Sequence, residues 1–433
     1  MRAAFGTAGF KRLFAGLTAS MFGDSLMLIV LSMWVKSLTG SNGAAGLTFL
    51  WMTAPSLLAP AFGYVVDRVP RRTFLIWGNL LSALVLAPLL LVRDSGDVWI
   101  IYAVAFCYGV SFVVVPAALN GLLKEMLPED VLVEANASLS ITREAFRLVG
   151  PLLGALLFSV GGGGVVALLD AGTFLVAAVA VASLRVAEVR EEHEPMHWRA
   201  EVVAGAVHIR RSPVLLHSTL AVGICLLVLG FSESAVYAVV DAFHKPVEFV
   251  GPVLTVQGVG AIASGVLASR VIRRLGEPGA MVAGLLVLVV GLAGIAAAQQ
   301  IWQLLVAVAV LGASIPVLIV AFNTLLQKQT PGRLMGRVST TTELLTTTPQ
   351  AVSIATGALL VTLLDYRLIF VLMAVGSAVA AAYLLVALRG RLGPVAGLTE
   401  APADAGEPPI AVLADQPLGV RDEPLGEVLP DLP

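Results

Sequence analysis

Several charged side chains lie deep inside apolar runs of this chain, where a charge must have a purpose or a partner. Asp24 lies about 18 Å along the first run, at 1.5 Å per helical residue. Arg143 and Arg147 lie at a similar depth in the fifth run, four residues apart on one helix face, and Glu144 can reach Arg147. A charge at the centre of a bilayer costs roughly 2.5–3.5 kcal/mol, so these groups are expected to face a cavity or each other.

Two interpretations of these charges stay open. They form either a structural ion-pair cluster or a protonation and substrate site that uses the Asp24 carboxylate. Glu233, in the seventh run, lies nearer the outer end of its helix and is a further candidate. Neutral polar residues complete the set of cavity candidates: Asn120, Asn323 and Gln350.

A second pattern occurs twice, about 200 residues apart. Gly63-x-x-x-Asp67-Arg68-x-x-Arg71-Arg72 recurs as Gly265-x-x-x-Ser269-Arg270-x-x-Arg273-Arg274. Asn120 and Gly154 recur as Asn323 and Gly357 at nearly the same offset, which places Arg143 opposite Thr346 and Arg147 opposite Gln350. A constant offset across several positions predicts two similar halves, with a buried charged face in only one of them.

The repeated pattern has the composition of a sharp turn at a membrane surface. Gly63 allows close packing, the arginines can bind helix carbonyl ends and lipid phosphates, and Asp67 suits the positive end of a helix from the other half. The alternative is that the arginines only fix the topology. The residues predicted to form a cytoplasmic gate are Gly63, Asp67, Arg68, Arg71, Arg72, Arg270, Arg273, Arg274 and Glu343.

The elements that must position these residues are membrane helices. Hydrophobic residues make up 58% of the 433 positions and charged residues only 13%, which excludes an ordinary soluble domain. A bilayer core of about 30 Å needs about 20 apolar residues per helix. Runs of that kind predict twelve spans, near residues 12–36, 44–66, 74–92, 98–121, 137–160, 164–184, 214–240, 249–269, 279–299, 301–326, 338–364 and 367–388.

Basic residues alternate between the predicted connections as the positive-inside rule requires. With the N-terminus in the cytoplasm, the outer side carries only Lys36, Arg93, Lys245 and Arg367, and both termini lie inside. The predicted organisation is a six-helix half (1–184), a charged cytoplasmic connector (185–212), a second six-helix half (213–391) and a tail (392–433). The tail is rich in Pro, Gly and acidic residues and is predicted to be disordered.

These motifs resemble the major facilitator superfamily over about residues 10–390. Gly63 to Arg72 is similar to its signature loop, although Pro70 replaces the usual second glycine. Gly150-Pro151-x-x-Gly154 resembles the fifth-helix motif of antiporters, and the surrounding sequence resembles the macrolide-efflux and enterobactin-exporter branch. Ala105 stands where drug/proton antiporters carry an arginine. The resemblance implies an all-α membrane protein of twelve transmembrane helices, in two parallel pseudo-symmetric six-helix halves (the major facilitator fold).

The function expected from the residues and the resemblance is efflux of an amphipathic drug or secondary metabolite, driven by protons, from a bacterial inner membrane by a monomer. An importer or lipid flippase on the same fold stays open, as does a non-transporting receptor or scaffold that acts through the connector and tail. No metal-ligand cluster, nucleophile elbow, phosphate loop or ATP-binding motif occurs in the sequence. We therefore predict no enzyme activity, no metal or other cofactor, and no nucleic-acid partner.

Overall fold

The computed structural model describes residues 4–66, 68–184, 198–390 and Gly393. The gate candidate Asp67, the first part of the predicted connector and nearly all of the predicted tail lie outside the described residues. Secondary structure in the described residues is helical throughout. The α-helices are α1 (Ala8–Thr39), α2 (Asn42–Thr53), α3 (Ala59–Val66), α4 (Arg71–Leu86), α5 (Val98–Met126), α6 (Glu129–Ala182), α7 (Trp198–Arg211), α8 (Pro213–Gly230), α9 (Ser232–Ala242), α10 (Val250–Ala297), α11 (Ile301–Gln329), α12 (Met335–Leu363) and α13 (Tyr366–Ala387).

Two of these helices are each a pair of spans joined by a single glycine. Gly162 in α6 has φ 71° and ψ 178°, and Gly276 in α10 has φ 76° and ψ 168°, a backbone region that is essentially restricted to glycine. The direction of α6 reverses at Gly162. Beyond it, residues 163, 170 and 180 lie against the positions of residues 34, 23 and 16 of α1, so that part of α6 runs antiparallel to α1.

The helix count agrees with the sequence. In the described part of the chain, nine helical stretches are long and apolar enough to cross a bilayer. Two of the nine are α6 and α10 with their reversals, which accounts for eleven crossings. The remaining crossing is the interrupted run from α2 through a 3-10 turn at Ala54–Leu58 to α3. Pro55, in the first turn of that segment, supplies no backbone N–H and so breaks the predicted continuous helix.

The seventh predicted span is interrupted in a different way. It consists of α8 and α9, which meet at Phe231 between Gly230 and Ser232. Gly230 packs against α12, where a Cβ at this position would lie 2.8 Å from the Gln350 carbonyl oxygen. Close helix packing, rather than proline, therefore accompanies this break.

The two six-helix halves contact each other at one end of the bundle. We call the side where α1 begins and α13 ends the near side, and the side where α1 ends the far side. On the far side, Lys36 Nζ of α1 lies 2.6 Å from Asp241 Oδ2 of α9. One turn deeper, Ser32 is hydrogen-bonded to Tyr237. We call these two pairs the far-side latch.

Glycines extend the far-side contact between the halves. A Cβ on Gly43 of α2 would lie 2.3 Å from the Ala358 carbonyl oxygen of α12. A Cβ on Gly251 of α10 would lie 2.8 Å from the Pro151 carbonyl oxygen of α6. Because neither position has room for a side chain, the helices of the two halves pack backbone to backbone here. The far side of the bundle is therefore closed.

The described part of the predicted connector is the helix α7, which packs on the second half. Thr341 of α12 donates a hydrogen bond to the Val202 carbonyl at 3.0 Å, and His208 lies 2.9 Å from the Gln329 carbonyl of α11. Ile209 is buried between these helices. This helix is consequently fixed to the second half.

Candidate functional site

The centre of the first half contains two carboxyl groups on either side of one phenol. Tyr108 Oη of α5 lies 2.6 Å from Asp24 Oδ1 of α1 and 2.9 Å from Asp170 Oδ2 in the second part of α6. Tyr108 and Asp170 are fully enclosed, with 1% and 0% of their surface exposed, whereas Asp24 is half-buried. We call these three residues the carboxyl–phenol cluster. It connects three helices of the first half at mid-depth.

Glycine and threonine hold Asp170 against α1. A Cβ on Gly23 would lie 2.2 Å from Asp170 Oδ1 and 2.3 Å from Thr173 Oγ1, so the missing side chain at Gly23 makes the space for both. Thr173 Oγ1 lies 2.7 Å from the Asp170 carbonyl oxygen and 3.2 Å from Asp170 Oδ1, and it can donate its one hydrogen to either. The position of Asp170 is thus fixed both by packing and by hydrogen bonding.

The antiporter-like motif packs α6 against α1 beside Asp24. A Cβ on Gly150 would lie 2.4 Å from Ser25 Oγ, and one on Gly154 would lie 2.6 Å from the Leu26 carbonyl oxygen. Pro151 faces α10 of the other half through its carbonyl oxygen. The motif therefore joins the helix that carries Asp24 to the contact between the halves.

Two arginines on the first part of α6 connect the acidic groups of the two halves. Arg143 acts electrostatically on Asp24, and Arg147 acts on Glu233 of α9. Both arginines and Glu144 are exposed, and within the described residues neither arginine makes a direct ion pair or hydrogen bond. The charges of the two arginines therefore act on one acidic group in each half.

The neutral polar candidates are spread over other helices. Asn120 of α5 and Asn323 of α11 are exposed, and Gln350 of α12 is half-buried beside Gly230. Thr346, which corresponds to Arg143 in the repeat, donates to the Thr342 carbonyl of its own helix at 2.9 Å. The structure does not bring these residues into the carboxyl–phenol cluster.

Two of the gate candidates that can be described, Arg71 and Arg72, make contacts within their own half. Arg71 forms an ion pair with Glu125 of α5 at 3.0 Å, and Arg72 donates to the Ala182 carbonyl at 2.7 Å. The other charged members of the set are exposed: Arg68, Arg270, Arg273, Arg274 and Glu343. Gly63 lies in α3. A gate formed by these residues therefore stays a prediction.

Sequence reasoning missed Tyr108 and Asp170. The signal for Asp170 was present, because it is the single charged residue in the apolar sequence from Gly161 to Ser183. Tyr108 gave no comparable signal, since a tyrosine in an apolar helix is common as a core or interfacial residue. Only the packing of α5 against α1 and α6 identifies its role.

A family model described as Major Facilitator Superfamily matches residues 13–340 and, in a second match, residues 222–420. An uncharacterized MFS-type transporter, YfiS of Bacillus subtilis, is 26% identical over 84% of this chain and 89% of its own length. Multidrug resistance protein MdtG of Serratia proteamaculans is 26% identical over 74% and 79%. Macrolide efflux protein A of Streptococcus pyogenes is 22% identical over 54% and 57%.

Solved structures share the fold at low sequence identity. The nucleoside transporter NupG aligns with a TM-score of 0.70 at 11% identity, over 88% of this chain and all of its own length. A bacterial homologue of the iron transporter ferroportin aligns at 15% identity with a TM-score of 0.68 in its inward-facing state, over 88% and 98%. Its outward-facing state scores 0.59 at 18% identity, over 87% and 98%.

Proposed function

Since the chain belongs to the major facilitator superfamily, we propose that it is a proton-coupled efflux transporter for an amphipathic small molecule. It resides in a bacterial plasma membrane as a monomer, with both termini in the cytoplasm, so that the near side is the cytoplasmic side. Lipid surrounds it, and its partners are the cargo and protons.

One observation carries this proposal: the Asp24 carboxyl group lies at mid-depth, half-buried, in hydrogen-bond contact with Tyr108 and under the influence of Arg143. A carboxyl group at this depth is costly unless it has a function or a partner. When the Asp24 carboxyl group is protonated, it has no negative charge to balance Arg143. When it is ionised, that negative charge is present again. A proton and a cargo molecule can therefore both change the electrostatic field around Asp24 and Arg143. Exchange of protons for cargo requires that the two binding events influence each other in this way.

Alternating access gives the proton and the cargo different sides from which to arrive. With the far side closed by the latch, cargo enters from the near side. Separation of Lys36 from Asp241 and of Ser32 from Tyr237 then opens the far side, where cargo leaves and a proton binds Asp24. When the protein returns to the conformation that is open to the near side, protonated Asp24 releases its proton there and the cycle is complete.

The names of the relatives favour efflux over the alternatives. MdtG is named for multidrug resistance and macrolide efflux protein A for export of a drug class, whereas NupG is a nucleoside transporter and shares only the fold. Transport in the import direction and movement of lipids remain distinguishable outcomes of the test below. A receptor or scaffold would move nothing at all.

Everted membrane vesicles test direction and coupling together. With an interior-acid gradient, vesicles that contain the wild-type chain are expected to accumulate members of a panel of fluorescent amphipathic dyes of positive, zero and negative charge. Asp24→Asn is expected to abolish the gradient-driven part of this accumulation, because the carboxamide cannot exchange a proton.

The matched control is Asp365→Asn, which changes an exposed cap of α13 on the far side. It should accumulate dye as the wild type does. Accumulation of dye by right-side-out vesicles instead would identify an importer, and accumulation of labelled lipid a flippase. Full gradient-driven accumulation by Asp24→Asn would refute the coupling role of Asp24.

A further inference from the structure

We propose that Asp24 and Asp170 share one proton through the hydroxyl group of Tyr108, which makes Asp170 a second, enclosed part of the proton site. This inference deepens the proposed function and rests on it, because it concerns the group that exchanges protons during transport. It assigns a role to Asp170, a buried carboxyl group that the efflux mechanism above does not use.

The number of hydrogens available to the cluster requires a shared proton. Tyr108 Oη lies within hydrogen-bond distance of both carboxyl groups, at 2.6 and 2.9 Å. A phenol has one hydrogen to donate, and an ionised carboxylate can only accept. With both carboxyl groups ionised, one of the two contacts would place an oxygen lone pair against another. If one carboxyl group is protonated, it donates to Tyr108 Oη while Tyr108 donates to the other, and both contacts are satisfied.

Within the described residues, no cation contacts Asp170 that could replace the proton. Its carboxyl group is contacted by Tyr108 of α5 and by Thr173 of its own helix, and it faces Gly23 of α1. Among the described residues, the charged group that acts on Asp170 is Asp24, whose ionised carboxylate has the same sign of charge. Two carboxylates around one phenol in an enclosed site repel each other, so holding a single proton between them is the arrangement of lower energy.

The surroundings of Asp24 differ from those of Asp170 in two ways. Arg143, in the first part of α6, acts electrostatically on Asp24, whereas the charge that acts on Asp170 is the like charge of Asp24. Asp24 is also half-buried, whereas Asp170 has no exposed surface. Asp24 is therefore the member that meets water and cargo, and Asp170 is the member that holds the proton away from both. Movement of the proton from Asp170 through Tyr108 to Asp24 breaks one O–H bond and forms another at each step, with no other reactant.

Infrared spectroscopy on the full-length protein in lipid detects this proton without any cargo. At neutral pH the wild type is expected to show the carbonyl absorption of a protonated carboxyl group, shifted by deuterium oxide. Asp24→Asn and Asp170→Asn are each expected to remove that same absorption, because Tyr108 alone can satisfy the single carboxylate that remains. The double variant should remove nothing more.

The Tyr108→Phe variant distinguishes a proton that the two aspartates share from a proton held by one buried carboxyl group alone. This substitution keeps the ring that contacts Phe112 and Phe174 and removes only the hydroxyl group. The absorption is expected to shift, because the proton loses its acceptor. Asp365→Asn serves as the control for which the absorption should not change, and thermal unfolding confirms that each variant is folded.

Three results would overturn the inference: no protonated carboxyl absorption in the wild type, an absorption unchanged by Asp170→Asn, or two absorptions removed one by each aspartate variant. These results are independent of dye transport. If Asp24→Asn accumulates dye as the wild type does while the infrared result is as expected, Asp24 has no coupling role but the two aspartates still share a proton. If Asp24→Asn loses gradient-driven accumulation but the infrared result contradicts the shared proton, Asp24 is the coupling group and Asp170 is not part of the proton site.

Discussion

At the scale of single residues, the mid-membrane site depends as much on what is missing at Gly23 as on the charged groups themselves. Asp170 and Thr173 occupy the volume that a side chain at position 23 would fill. The neighbouring Asp24 meets Tyr108 of α5 from the same turn of α1. Packing and chemistry are therefore specified by adjacent positions in the sequence.

Gly23→Ala is expected to displace Asp170 and to lower both stability and transport. A Cβ placed 2.2 Å from Asp170 Oδ1 requires the carboxyl group or the helix to shift. Overpacking of this kind costs typically about 1–3 kcal/mol, which a thermal unfolding curve in detergent can measure. Dye accumulation in everted vesicles should fall in parallel.

The control for this variant is Gly172→Ala, in the same part of α6. A Cβ at Gly172 meets nothing within 4 Å, so this substitution should leave both stability and transport near the wild-type values. Equal behaviour of the two variants would mean that the contact between Gly23 and Asp170 does not position the site.

At the scale of helices, the sequence predicted the twelve spans but not how they are joined or interrupted. Long apolar runs predict a helix well, because the backbone has no other partner in lipid. The predicted fifth and sixth spans were placed on either side of Gly162, yet hydropathy does not reveal that this glycine alone makes the turn. Breaks at Pro55 and at Phe231 depend on local hydrogen bonding and on contact with α12, which a run of apolar residues does not encode.

Gly162→Ala is expected to destabilise the turn inside α6. Residues other than glycine avoid φ 71° with ψ 178°, at a cost of about 1–3 kcal/mol. The midpoint of thermal unfolding in detergent should fall accordingly. Gly164→Ala, two residues later, meets only Leu90 at 3.7 Å and should be tolerated. Equal midpoints for the two variants would show that the turn does not depend on the conformation of Gly162.

At the scale of the whole molecule, the repeat predicted the two halves, and the proposed mechanism uses the differences between them. Arg143 and Arg147 lie on α6 of the first half, while Thr346 and Gln350 occupy the corresponding positions of α12. The cluster of Asp24, Tyr108 and Asp170 belongs to the first half alone. Glu233, from the second half, lies outside the cluster and in the electrostatic field of Arg147. A repeat can predict a scaffold, but contacts between halves such as Lys36 with Asp241 require the folded structure.

Alternating access in this protein requires the far-side latch to open during transport. Lys36 and Asp241 join α1 to α9 across the two halves. A chain with Cys107 and Cys225 replaced by serine and alanine, and with Lys36→Cys and Asp241→Cys introduced, can be bridged by a short reagent that carries two thiol-reactive groups on a reducible linker. The control bridge joins Ala44→Cys to Tyr102→Cys within the first half, where the Tyr102 hydroxyl group donates to the Ala44 carbonyl at 2.9 Å.

The decisive measurement is dye accumulation by everted vesicles before bridging, after bridging and after reduction of the linker. We predict that the bridge between positions 36 and 241 stops accumulation, that reduction restores it, and that the bridge between positions 44 and 102 leaves it unchanged. Undiminished accumulation with the first bridge fully formed would contradict alternating access through the far side.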